Sequence, residues 1–150
     1  IAHRASLLYS FAALVMAAHR ENISVVPLIG PSSILLALMA SGLGGQRFAF
    51  HGYLPVAEAE RDERIQALES ESRAQSRTQI FIETPYRNER MFEALLRTCK
   101  PTTRLCVACD LSTASEFLHT RPISAWRQAN KSAAEKPALA RRPALFLLLA

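Results

Sequence analysis

Two short segments of the 150-residue chain carry residue types and spacings that can do chemistry. The first is Gly30-Pro31-Ser32-Ser33, a turn followed at once by the apolar run from Ile34 to Ser41. A strand, this turn and a helix make a unit whose helix start exposes unpaired N–H groups and positive dipole, a setting for a carboxylate or a hydroxyl-bearing ligand. Ser32 and Ser33 can either cap that helix or contact the ligand, because serine is a favoured N-cap for structural reasons alone. The second segment is Glu83-Thr84-Pro85-Tyr86-Arg87, where a strand gives way to a helix. Ligands of open α/β sheets gather at such strand ends. Glu83 and Arg87 can pair with each other, or contact a polar ligand and a phosphate respectively. Asp110, at the end of a later strand, is a similar edge residue or a turn former.

Other chemistries find no support. No P-loop and no Gly-x-Gly-x-x-Gly occurs, so a nucleoside triphosphate site is not indicated. There is no Gly-x-Ser-x-Gly elbow for Ser-His-Asp hydrolysis. His3, His19, His51 and His119 have no metal-ligand spacing. Cys106 and Cys109 mimic a Cys-x-x-Cys pair, but they lie in a strand, where residues three apart point to opposite faces. No metal is expected.

The elements that must position these groups alternate. An apolar helix from Leu7 to Arg20 stops at Asn22, and a short buried strand, Ile23 to Leu28, follows. The Ile34 to Ser41 helix ends at Gly42, Gly44 and Gly45. Strands are expected at Phe48 to Leu54, Thr78 to Thr84 and Leu105 to Cys109, with a strand or turn at Glu116 to Thr120. Helices are expected at Glu58 to Gln75, after Pro85 and at Ile123 to Arg127, and a basic loop from Gln128 to Arg142. Ala144 to Ala150 is apolar throughout and reads as a strand in the middle of a sheet. This alternation predicts an α/β fold. Residues 1–45 read as the tail of one α/β domain, and 46–150 as a nearly complete second one with a mixed sheet.

With 49% hydrophobic and 21% charged residues the chain can bury a core and is not disordered. A net charge of +5 suits an anionic partner such as RNA, although arginine spread along the whole chain equally fits a solvated surface. Three cysteines make no disulfide framework and favour a reducing, cytoplasmic setting. The run Leu7 to Ala18, after His3 and Arg4, is too short to span a bilayer. It mimics a signal peptide, but it flows directly into a helix end and a strand.

The order of motifs carries more than any one of them. Val25-Val-Pro-Leu-Ile-Gly-Pro-Ser-Ser33, Ala37-Leu-Met-Ala-Ser-Gly-Leu43, Arg47-Phe-Ala-Phe-His-Gly-Tyr-Leu-Pro55 and Gln79-Ile-Phe-Ile-Glu-Thr-Pro-Tyr-Arg87 follow one another. Together with Leu105-Cys-Val-Ala-Cys-Asp-Leu111 and Glu116 they resemble the rRNA-methylating branch of the tetrapyrrole methylase superfamily, over nearly all of the chain after Val15. Ile29 stands where that branch has proline, Tyr86 where it has histidine, and Cys109-Asp-Leu-Ser112 where it has Glu-Leu-Thr-Lys. The branch's amino-terminal half, with its Gly-rich strand-loop and Asp-Pro-Gly segment, has no counterpart here.

The resemblance implies a two-domain, commonly dimeric α/β fold with S-adenosylmethionine in the cleft between domains. It places Gly30, Pro31, Ser32 and Ser33 at that cleft, bordered by Ile82, Glu83, Val107 and Ala108, and assigns Tyr86 and Arg87 to the substrate. The implied activity is methyl transfer to the 2′-oxygen of a ribose in small-subunit rRNA. The alternative is a non-catalytic module that dimerises or binds RNA. No residue is identified as the catalytic base.

Overall fold

A computed structural model of the chain describes residues 12–132 and 136–150. They form two compact units that divide after Gly30.

In the first unit a helix (α1, residues 12–20) closes on Asn22, whose φ of 55° places it in the left-handed region. The Ile23 N–H bonds the Ala18 carbonyl (2.8 Å) and the Asn22 N–H bonds that of His19 (3.3 Å). This paired closure consumes two of the carbonyls that a helix end leaves orphaned, and asparagine tolerates it where a bulkier side chain would strain. The expected strand from Ile23 to Leu28 does not form. Those residues carry no regular structure, and Val26 and Leu28 are 74% and 89% exposed. A short apolar run becomes a strand only where a neighbour takes its N–H and C=O groups, and no described strand pairs with it. Of the apolar residues of α1, Leu14 and Met16 are exposed.

The second unit is a five-stranded mixed sheet of order β1-β2-β5-β3-β4. The strands are β1 (Phe48–Tyr53), β2 (Thr78–Glu83), β3 (Arg104–Cys109), β4 (Phe117–Pro122) and β5 (Ala144–Leu149). β1 and β2 are parallel, whereas β5 runs antiparallel between β2 and β3, and β4 antiparallel beside β3. Helix α2 (Ser33–Ala40) packs on one face; α3 (Glu58–Gln75), α4 (Asn88–Thr98) and α5 (Ile123–Ala129) cover the other. The second unit begins at Pro31. Ala37, Leu38 and Leu43 are buried with Ile80, Cys106, Leu145 and Leu147 of the sheet, which draws α2 into the second unit.

Strand alternation sorts the sheet's side chains into two cores. Phe81, Leu105, Val107, Cys109, Phe146 and Leu148 meet the three-helix layer, where Phe81 and Phe146 stack with ring centroids 5.8 Å apart. Their neighbours Ile80, Cys106, Ala108, Leu145 and Leu147 meet α2. β5 contributes to both, which is why its sequence is apolar at every position.

Cys106 and Cys109 fall in different cores, as their spacing requires, and all three cysteines are buried free thiols. Burial pushes the Cys99 thiol up to about 12 and the Cys109 thiol up to about 11, because an apolar surrounding disfavours the thiolate. The folded chain at pH 8 is expected to resist a thiol-directed chromogenic disulfide and to react at three sites in guanidinium; rapid labelling of the native chain would contradict this burial.

Candidate functional site

Because β5 runs opposite to both β2 and β3, the carboxyl ends of β1, β2 and β3 share one edge of the sheet. The register aligns Glu83, Ala144, Cys109 and Phe117 across that edge. Topology thus brings together two segments 27 residues apart, the Glu83 to Arg87 turn and the Asp110 turn.

Of the two roles open to Glu83 and Arg87, the structure takes the ion pair. Glu83 is 6% exposed, and its Oε1 accepts from Arg87 Nη2 (2.7 Å), Arg87 Nε (2.9 Å) and the Thr84 N–H (2.6 Å). A buried carboxylate keeps its charge only with such company. Tyr86 is exposed, and the Arg87 guanidinium lies 5.6 Å from its ring centroid. The pair locks the strand-to-helix turn and leaves Pro85 and Tyr86 facing solvent.

Asp110 has its own partner. Arg142 Nε donates to Asp110 Oδ2 at 2.7 Å, and the Ser115 hydroxyl donates to the same oxygen at 3.0 Å. Arg142 also donates to the Ala138 carbonyl (2.9 Å) and to that of Ser115. Asn88, buried at the start of α4, donates through Nδ2 to the Arg142 carbonyl (2.6 Å) and to that of Leu139 (3.3 Å). The Arg141 N–H reaches the Pro85 carbonyl (3.1 Å), so the two turns are joined through the segment that leads into β5. Asp110, Ser112 and Arg141 all have positive φ, which concentrates backbone strain at this edge. Arg142, Asn88 and Ser115 were not singled out from the sequence. The bonds that tie Ser115 and Arg142 to Asp110 and Asn88 to Arg142 span 5, 32 and 54 residues, and no local pattern marks such pairings.

The hydrogen bond from Arg142 holds the Asp110 carboxyl below the usual carboxylate range, helped by Ser115 and opposed by partial desolvation. A carboxyl lowered in the folded state stabilises above its unfolded pKa, near 4, and that contribution disappears as pH falls through the lower native value. Asp110→Asn is therefore expected to flatten the acid limb of the urea midpoint between about pH 5 and pH 2. An unchanged acid limb would show that this bond is not formed in solution.

The remaining residues assigned by resemblance lie in different surroundings. Ser32 occupies the N-cap position of α2 with extended backbone (φ −124°, ψ 118°), and its side chain makes no capping hydrogen bond. Its carbonyl accepts the Leu36 N–H at 2.9 Å, the first bond of the helix. Pro31 and Ser33 are exposed. A Cβ added at Gly30 would meet nothing within 4 Å. Ile82 is half-buried and belongs to the α2 side of the sheet. Val107 and Ala108 are fully enclosed, one in each core. His51 lies on β1 away from these turns, with its Nε2 2.6 Å from the Gln79 Oε1 and its Nδ1 3.2 Å from Arg64. Among the described residues no group of three or more His, Cys, Asp and Glu side chains is placed to hold a metal ion, and no helix is long and apolar enough to cross a membrane.

No protein-family model matches the chain. The ribosomal RNA small subunit methyltransferase I of Pseudomonas aeruginosa is 34% identical over 111 residues, 74% of this chain and 38% of that protein. Its counterpart in Escherichia coli O157:H7 is 32% identical over 110 residues, 73% of this chain and 37% of that protein. The chain thus spans a little over a third of the length of these relatives. Among solved structures, the cobalamin biosynthetic enzyme cobalt precorrin-4 methyltransferase, CbiF, aligns over 96% of this chain and 59% of its own with a TM-score of 0.55 at 13% identity. The methyltransferase CobJ aligns over 91% and 56% with a TM-score of 0.51 at 16% identity. At those identities the likeness is one of fold, and it agrees with the mixed sheet described above. Over about three quarters of its length the chain is similar to ribosomal RNA small subunit methyltransferases I, and it has the tetrapyrrole methylase fold.

Proposed function

We propose that this chain is part of an S-adenosylmethionine-dependent methyltransferase that modifies the 2′-oxygen of a ribose in small-subunit rRNA. The single observation behind this reading is the identity to small subunit methyltransferases I over about three quarters of the chain. S-adenosylmethionine supplies a methyl group activated on a sulfonium. The residues present suit it at one place. The first-turn N–H groups of α2 and the Ser32 hydroxyl form a donor set for a carboxylate or a ribose hydroxyl, with Gly30, Pro31 and Ser33 beside them in the chain. Glu83 and Arg87 act on each other and hold the turn. That leaves Tyr86 and the outer edge of Arg87 toward the RNA, and Ile82 as an apolar border. The enclosure of Val107 and Ala108 gives them a supporting role behind the site.

Methyl transfer to a hydroxyl is an in-line displacement, so the contribution of these residues is placement: holding two reactants within attack distance raises the rate steeply. The +5 net charge favours association with an RNA partner. A second copy of the chain completes the reading as a homodimer, and the cytoplasm is where its substrate resides.

The test is transfer of a labelled methyl group from S-adenosylmethionine to small ribosomal subunits, followed by digestion to nucleosides. Label in a 2′-O-methylated nucleoside, reduced at least tenfold by Tyr86→Ala, is expected. Label on a base would overturn the ribose assignment. Absence of label from a chain that binds the cofactor and RNA would favour a non-catalytic module.

A further inference from the structure

The turn that leads into β5 carries a residue that the fold alone does not call for. The Arg142 N–H reaches the Leu139 carbonyl (3.4 Å) and closes a four-residue turn with Arg141 in its third place, at φ 60°. A positive φ at that place is ordinarily met by glycine or asparagine. The other non-glycine residues described with positive φ are Asn22, Ser76, Asp110 and Ser112, all with short polar side chains. In a left-handed backbone the Cβ of an L-residue crowds the following carbonyl, a strain that glycine avoids.

The strain persists because the turn is held from both sides. Asn88 Nδ2 donates to the carbonyls of Leu139 and Arg142, and the Arg142 side chain is fixed on Asp110, Ser115 and Ala138. The Arg141 N–H meets the Pro85 carbonyl (3.1 Å), which brings the residue beside Pro85 and Tyr86. None of these bonds uses the Arg141 side chain. It is exposed, and among the described residues its guanidinium has no partner. The carboxylates of the two turns, Glu83 and Asp110, are already paired with Arg87 and Arg142. Enforced backbone strain beneath a long side chain that makes no bond in the fold points to function.

We propose that Arg141 is a substrate-positioning residue, its guanidinium taking the phosphate that flanks the nucleotide held at Tyr86. Tyr86 is 63% exposed and offers its ring to an unstacked base, while a guanidinium pairs with phosphate oxygens through forked N–H groups. Two anchors of different chemistry fix the direction of a nucleotide as well as its place. An in-line transfer to one ribose oxygen requires both. That the phosphate belongs to an rRNA nucleotide rests on the methyltransferase reading; the strained turn and the unpaired guanidinium do not depend on it.

The test compares Arg141→Gln, which keeps the strain and removes the charge, with Arg141→Gly, which removes both. Arg73→Gln, at an exposed arginine in the last turn of α3, controls for charge alone. Arg141→Gly is expected to raise the urea midpoint by about 0.3 M, and Arg141→Gln to leave it unchanged. Affinity is read by anisotropy of a labelled single-stranded RNA of about twelve nucleotides, at about 50 mM and 200 mM salt. Both Arg141 variants are expected to bind roughly 10- to 100-fold more weakly, with a salt slope smaller by about 1. Arg73→Gln is expected to stay within about twofold of the wild type. An equal loss in Arg73→Gln, wild-type affinity in both Arg141 variants, or a lower urea midpoint in Arg141→Gly would each overturn the proposal. So would the absence of RNA binding by the wild-type chain. Methyl transfer to small ribosomal subunits separates this role from the activity. Label transferred by the wild type, at an unchanged kcat/KM in Arg141→Gln, overturns the role of Arg141 alone. No label from a chain whose RNA affinity depends on Arg141 overturns the methyltransferase reading alone.

Discussion

Trp126→Ala is expected to lower stability by about 3–5 kcal/mol, the range for emptying a fully buried indole site. The indole sits in the helix-side core with no exposure, edge-on to Phe92 with ring centroids 5.5 Å apart at 90°. Its Nε1 donates to the Leu105 carbonyl at 2.8 Å, and the Arg121 guanidinium lies 5.1 Å from its ring centroid. One side chain thus joins α5, α4, β3 and β4, and its loss leaves both a cavity and a buried carbonyl without its donor. Set against a total stability of about 5–15 kcal/mol, the change leaves a marginal fold. Trp126→Phe separates the two parts: it keeps most of the volume and gives up the hydrogen bond, at about 1 kcal/mol or somewhat more. Urea titrations of the three proteins check this. An alanine variant within 1 kcal/mol of wild type would mean that α5 does not dock as described.

The second large effect is asymmetric. Arg87→Met is expected to cost about 3 kcal/mol, because it strips the partner from a carboxylate that is almost fully enclosed. Glu83→Gln is expected to cost less, about 1–2 kcal/mol, since the amide oxygen still accepts the Thr84 N–H and Arg87 can turn toward water. A double-mutant cycle measures the coupling directly. Equal and small losses in both single variants would place the pair at the surface instead of in the turn.

Much of this architecture is legible in the residues. The unbroken apolar run Ala144 to Leu149 announces a strand covered on both faces, and β5 lies between β2 and β3. Glu58 to Gln75 reads as a helix with Ile65 and Leu68 inward, and both are fully buried in α3. The site was half legible. Strand-end logic finds Glu83, Arg87 and Asp110, because local sequence places them at strand ends. It misses Arg142 and Asn88, whose roles follow from antiparallel pairing that brings distant segments into register. It also over-reads Ile23 to Leu28, since apolar content predicts burial and only a partner strand provides it.

The proposed activity requires that the start of α2, at Ser32 and Ser33, holds the methyl donor. Calorimetric titration of the chain with S-adenosylmethionine, beside a Ser32→Ala, Ser33→Ala double variant, tests this most directly. One-to-one binding that weakens at least tenfold in a folded double variant is the predicted result. Wild-type affinity in that variant, or no heat of binding from a folded chain, would contradict it.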